Sequence, residues 1–431
     1  MLDRIKAPEF HTIDHIAILE AGSFSLDNGI PVHVIDAGSQ ELTRIEFIFK
    51  AGNFYQDGPL IAHSANTLME NGTTKYSADQ LSDGIDFYGS FFEASCGHDY
   101  ASIALFSLNK HLEKTLVFVE DIIKNATYPQ DEVSIYLANK KQKHLVNEQK
   151  VAHVARKKFA ELLFGPSHPY GLHADTKDYD ELGQSTILDF YKKYYHYKNC
   201  TIIAAGNLPK DLKQVLNKHF GTQQWGSGAD IAKKYSQPST TTQQKHLVEK
   251  KDAVQSAIRV GKRLFNKTHP DYFKFQVLNI VLGGYFGSRL MANIREDKGY
   301  TYGIGSGLSS LAHDGFFYIS TEVGADVTQK ALNEIYKEIG ILQNDLIPET
   351  ELETVKNYIL GQFLRSVEGP FALADKFRGV WEFGLGYDYY SSYFEVVKSV
   401  TPSELRDLAI KYWKKEDLIE LVVGRNLQIG G

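Results

Sequence analysis

The sequence predicts an α+β protein of two homologous domains, each a mostly antiparallel β-sheet with helices packed on one face. Three echoes within the chain predict it. A helix end and a buried-type strand, Phe190 to Tyr195 then Cys200 to Leu208, return as Leu408 to Trp413 then Leu421 to Leu427. The interval from Tyr195 to Trp413 is the same as that from Gly206 to Gly424. A proline-led acidic start, Pro129-Gln130-Asp131-Glu132, returns at nearly the same interval as Pro348-Glu349-Thr350-Glu351. Proline suits the first helical turn, and the acids complement the helix dipole. A hairpin also recurs. Phe91 to Ser95 with Tyr100 to Leu108 is matched by Tyr302 to Ser309 with Phe316 to Val323. Each hairpin leads into a helical period: Leu112, Leu116, Val119, Ile123 in one half and Ala331, Ile335, Ile339 in the other. Three echoes near one offset make chance a poor explanation.

The echoes divide the chain into residues 1–221, a linker at 222–245 and residues 246–431. The linker is turn-rich and polar, with Trp225-Gly226-Ser227-Gly228 and Pro238 to Thr242. Length alone argues the same way, since 431 residues exceed one ordinary core. A hydrophobic content of 43 % supplies sizeable cores and excludes a disordered chain. The net charge of −6 leaves no basic footprint for nucleic acid. Cys96 and Cys200, far apart, suit a reducing compartment or neutral burial better than a disulfide framework. The first residues lack the apolar stretch of a signal peptide, and no run of about 18 apolar residues suggests a membrane span. The expected location is the cytoplasm. Gly283 to Ser288 has neither the lysine of a P-loop nor a G-x-G-x-x-G pattern, so a nucleotide site is not expected. His168-Pro169-Tyr170-Gly171 reads as a surface turn.

One helix carries the most telling departure. Pro59 to Thr73 follows a strand-like run ending Phe47-Ile48-Phe49-Lys50-Ala51-Gly52. The segment resembles the pitrilysin/insulinase family of zinc peptidases, in which an H-x-x-E-H helix follows such a strand. That spacing sets two histidine ligands on one helix face with a glutamate base between them. Here His63 keeps the first ligand, while Asn66 stands at the base position and Thr67 at the second ligand. An amide takes no proton from water at neutral pH, and a threonine hydroxyl is not a usual zinc ligand. The family's third ligand is a glutamate farther along, in the region of Lys141 to Glu148, where His144 or Glu148 could fall near the position. A competing pair, His11 and His15 with Asp14 between, has ligand spacing only if helical, and its alternation suits an extended entry segment. His63 alone reads as a leftover helix residue, hydrogen-bonded or exposed.

The second half keeps more of the family pattern. Leu282-Gly283-Gly284-Tyr285-Phe286-Gly287-Ser288 leads into a short helix, with Ser288 as a plausible N-cap and Gly299 as its stop. Arg295 and Tyr302, seven residues apart, resemble the family's C-terminal arginine and tyrosine. The resemblance implies that Tyr302 bonds the oxyanion of the tetrahedral intermediate and that Arg295 holds substrate or that tyrosine. The blander reading makes Arg295 part of a solvated helix end and Tyr302 a strand aromatic.

The resemblance covers nearly the whole chain. It implies the non-zinc subunit of a two-subunit zinc peptidase, similar in plan to mitochondrial processing peptidase. Arg295 and Tyr302 would then serve a homologous zinc-bearing partner acting on peptides or unfolded segments. No cofactor is expected in this chain, the zinc belonging to the partner. The alternative is a catalytically inactive peptide-binding or scaffold protein of the same fold.

Overall fold

A computed structural model describes residues 18–228, 230–231 and 237–425 of the chain; the His11–His15 pair lies outside them. Two sheets organise it. The first takes β1 (Gly22–Ser25), β2 (Pro31–Asp36), β3 (Leu42–Phe49), β4 (Phe91–Cys96), β5 (Ala101–Leu108) and β6 (Cys200–Gly206), in the order β1-β2-β6-β3-β5-β4. The second takes β7 (Lys245–Glu249), β8 (Gln255–Leu264), β9 (Ile304–Ser310), β10 (Gly315–Gly324) and β11 (Ile419–Gly424), in the order β7-β11-β8-β10-β9. Each sheet has one parallel pair, β2 with β6 and β7 with β11, and is otherwise antiparallel. Without β1 the two orders are the same, so the sequence echo is a structural duplication.

The strand sequences show how each sheet is covered. Edge strand β4 alternates between exposed and half-buried residues, as a strand with one open face should. Central strands β3 and β6 end in continuous apolar runs, Phe47-Ile48-Phe49 and Ile202-Ile203-Ala204-Ala205, all buried. Such runs mean cover on both faces. One face of the first sheet meets helices Ile61–Thr67, Leu112–Asn125 and Gln184–Tyr194 of its own half.

The other face is closed by an exchange between the halves. Helix Pro370–Trp381 places Leu373, Ala374 and Phe377 on Ile35, Ile48, Ile203 and Ala205 of the first sheet. Helix Val151–Phe164 returns the arrangement, setting Val151, Ala155, Phe159 and Leu162 against Ala257, Ile419, Leu421 and Val423 of the second. These two helices occupy equivalent places in the repeat, each following the proline-led helix of its own half. Polar ties fix the first contact. The Arg378 guanidinium, from Pro370–Trp381, reaches the Glu46 carboxylate on β3 and donates to Ser102 Oγ at 3.1 Å. Arg44 bridges Glu46 at 2.7 Å and Asp375 at 2.6 Å.

Several local expectations change. His168 and Tyr170 do not form a surface turn: both are buried, with Phe54 and Phe164 packed on Tyr170. Tyr170 donates its hydroxyl to Asp99, which ties the loop under the junction of the halves. Part of the linker region is also fastened. Ser239 N–H, Thr240 Oγ1 and Thr241 N–H donate to the carbonyls of Phe164, Leu163 and Leu162, satisfying the end of helix Val151–Phe164. Cys96 and Cys200 are both free, and burial raises both thiols above their ordinary range. No helix among the described residues is long and apolar enough to cross a membrane.

Candidate functional site

The helix that resembles the zinc motif is present, but its side chains point to different ends. Helix Ile61–Thr67 enters through Leu60, whose φ of 71° is left-handed and strained for a residue with a Cβ. His63 and Thr67, one turn apart, share the half-buried face, and Thr67 Oγ1 lies 3.2 Å from His63 Nδ1. That nitrogen also meets the Tyr136 hydroxyl at 2.9 Å. Burial, and then the neighbouring Lys140 ammonium, hold the His63 pKa below its ordinary value. Asn66 turns away from this face. It is fully buried and donates Nδ2 to the Ser102 carbonyl on β5 at 3.3 Å. The residues do not fit zinc. The second ligand is a threonine, the base position is locked into the sheet, and a cation on His63 would face an ammonium.

His144 and Glu148 do not join His63. They come together with His153, the three offering ligand atoms within 4.8 Å of one another. The trio exists because helix Gln130–Asn147 ends at Glu148 and helix Val151–Phe164 begins shortly after, folding His153 back over that end. Sequence reading missed His153, since the turn that returns it has no spacing signature. Glu148 is already engaged, with the Lys157 ammonium 3.3 Å from Oε1.

The Arg295–Tyr302 segment departs from a simple capped helix. Met291–Asp297 is a π-helical turn, closed by Lys298 N–H to the Asn293 carbonyl at 2.9 Å, and Gly299 ends it at φ 65°. Such turns reposition side chains and recur at functional sites. Ser288 does not cap it, because its hydroxyl is buried without a partner. Gly283 is needed for close approach: a Cβ there would lie 2.7 Å from the Ser306 nitrogen. Arg295 stacks on the Phe286 ring at 4.7 Å, and Phe286 is itself 63 % exposed. Tyr302 precedes β9, which starts only at Ile304, and it is 94 % exposed. It is therefore no strand aromatic. It lines a shallow cavity with Ala152, Arg259 and Glu322.

A larger cavity, about 670 Å³, opens at the junction of the halves. Helix Val151–Phe164 supplies His153, Arg156 and Lys157, the second sheet supplies Arg259 and Tyr318, and His98 and His173 complete the rim. Burial, and to a smaller degree Lys157, push His173 down to about 4.

This architecture has counterparts. A family model described as the Peptidase M16 inactive domain matches residues 182–359. The chain is 27 % identical over 318 residues to a Bacillus subtilis protein named as an uncharacterized zinc protease, YmxG, covering 72 % of this chain and 74 % of that one. It is 24 % identical over 410 residues to an uncharacterized zinc protease of Rickettsia felis, covering 91 % and 92 %. Among solved structures, a peptidase M16 inactive domain from Pseudomonas fluorescens superposes with a TM-score of 0.85 at 21 % identity, covering 94 % of this chain and 98 % of that one. The fold is that of the M16 peptidases. Residues 182–359 match the inactive-type domain of that family, in keeping with the pitrilysin/insulinase resemblance of the sequence.

Proposed function

We propose that the chain is the non-zinc subunit of a two-subunit M16 peptidase that cleaves peptides or unfolded segments, with Arg295 and Tyr302 serving the zinc site of a homologous partner. The observation that carries this reading is the asymmetry between the halves. On the first, His63 is bonded to Tyr136 and shadowed by Lys140. On the second, an arginine without an ion pair among the described residues stands in the last turn of a π-helical segment, and a 94 % exposed tyrosine follows in the loop before β9. An exposed phenol gains nothing for folding, and a donor of this kind stabilises developing negative charge once a partner excludes water. No zinc is assigned to this chain, and the cytoplasm remains the proposed location.

The test is reconstitution. A zinc-bearing homologue from the same organism, with an intact H-x-x-E-H, should cleave a quenched peptide poorly alone and well after this chain is added. Equal turnover with and without the chain would remove the reading. The family's inactive-type domain favours a second reading, a peptide-binding or scaffold protein without turnover. Complex formation without any gain in turnover would support it.

A further inference from the structure

We infer that the junction cavity is an anion site in which Arg259 and Arg156 receive the carboxylate of a peptide. The inference starts from the duplication. Glu46 on β3 pairs in register with Ile203 on β6, and Arg259 on β8 pairs with Leu421 on β11. Ile203 and Leu421 are related by the same interval as Gly206 and Gly424, so Glu46 and Arg259 occupy the same place in the two sheets. Each faces the helix exchanged from the other half. At Glu46 the charge is matched inside the chain by Arg378 and Arg44. At Arg259 the sign is reversed, and no acid among the described residues answers it.

Among the described residues neither Arg259 nor Arg156 has an ion pair or a hydrogen bond from its side chain, and Arg259 has only the Tyr318 ring, 5.7 Å from its guanidinium carbon. Both guanidinium groups line the junction cavity, Arg259 from β8 and Arg156 from the exchanged helix. Burial first, and Arg156 as a further cause, lower the Arg259 pKa. Arg259 is half-buried and Arg156 is exposed beside the same cavity. A half-buried cation without a counter-charge is costly, and an anion held by both relieves that cost. No described aspartate or glutamate lines the 670 Å³ cavity that both arginines face. Of the nearby acids, Asp99 accepts from Tyr170 and from the Ala312 N–H, and Glu148 is held by Lys157. Glu322 lines the separate, shallow cavity and makes no ion pair with Arg259 among the described residues. A planar fork of guanidinium donors matches a carboxylate. The His144–Glu148–His153 group on the same wall makes a poorer cation site, because Lys157 and Arg156 stand beside it.

The peptide nature of the ligand rests on the peptidase-fold reading above, whereas the anion chemistry does not. The experiment uses the whole chain alone and a short unstructured peptide, labelled at its N-terminus and free of other charges. Three forms are compared by fluorescence anisotropy: the C-terminal acid, the C-terminal amide, and the amide with one internal glutamate. At least one acidic form should bind about tenfold or more tighter than the neutral amide, with the preference weakened by salt. The two acidic forms tell a chain terminus from an acidic side chain. Arg259→Gln and Arg156→Gln should each abolish the preference, and Arg259→Gln should melt no lower than wild type because it removes an unmatched charge. Equal binding of all forms, no binding of any, or a preference that survives both substitutions would overturn the inference. So would binding that requires added zinc and is lost in His153→Ala. Acid preference without activation of a zinc-bearing partner would leave this site standing and remove only the subunit reading.

Discussion

Arg378 and Glu46, 332 residues apart in sequence, meet in an ion pair that fastens the second half's helix to the first half's sheet. Glu46 is 4 % exposed, and Arg378 also holds Glu382 at 2.6 Å. Removing one partner from such a buried pair leaves a carboxylate without enough compensation. Arg378→Met should destabilise the chain by about 3 kcal/mol, the low end of the usual range for a broken buried pair, because Arg44 still serves Glu46. Glu46→Gln with Arg378→Met should recover part of the loss. Urea unfolding of the single and double variants measures both effects, and additive losses would show that the two residues are not coupled.

Metal content provides the second check. Protein purified without added zinc or a metal-affinity tag should hold well under one equivalent, and His63→Ala should leave the value unchanged. About one equivalent that disappears in His63→Ala would contradict the assignment of Tyr136 and Lys140 as the partners of that ring.

Rebuilding the motif should fail in an informative way. Asn66 is fully buried, so Asn66→Glu places a carboxylate in the sheet contact instead of the cleft. With Thr67→His it should lower stability by roughly 3 kcal/mol or more and still bind no zinc. Tight zinc binding with an undisturbed melting curve would show that residue 66 can turn outward.

Tyr302→Phe removes one hydroxyl and little volume. In the reconstituted pair, turnover should fall ~10²–10³-fold, roughly 2.7–4 kcal/mol for a lost oxyanion donor, while gel filtration shows the complex intact. Wild-type turnover in this variant and in Arg295→Ala would make the pair structural.

The cavity also sets a pH dependence. His173 is held near 4 by burial, with Lys157 and His98 lowering it and Glu161 and a backbone hydrogen bond opposing them. The unfolded chain therefore binds this proton more readily than the folded one between about pH 6.5 and pH 4. Stability should be full above about 6.5 and fall as the pH drops through that window. His173→Gln should flatten this part of the profile, as thermal melts across the range can show.

Much of the fold was legible because the duplication repeats local signals. Pro129 and Pro348 do stand immediately before helices Gln130–Asn147 and Glu349–Arg365. The exchange of helices was not legible. Val151–Phe164 and Pro370–Trp381 are amphipathic in the ordinary way, and nothing in that pattern says whose sheet they cover. At the candidate site the loss of the zinc pattern could be read from Asn66 and Thr67. The reason Asn66 is tolerated, its bond to Ser102 on a neighbouring strand, depends on contacts 36 residues away. His153 and Arg259 were missed for the same reason. Each gains its meaning only when a turn or a sheet register brings it to the junction.

The reciprocal cover by these helices has a consequence for ancestry. A single repeat made alone would leave one sheet face bare and one apolar helix without a seat, so the smallest unit able to hide both is the pair. An ancestral polypeptide about half this length could have met that need only as a twofold dimer, each copy clasping the other. Joining the copies in tandem released them from identity. The same place in the sheet could then hold an acid in one copy, Glu46, and a base in the other, Arg259, a divergence closed to a protein whose two halves come from one gene segment.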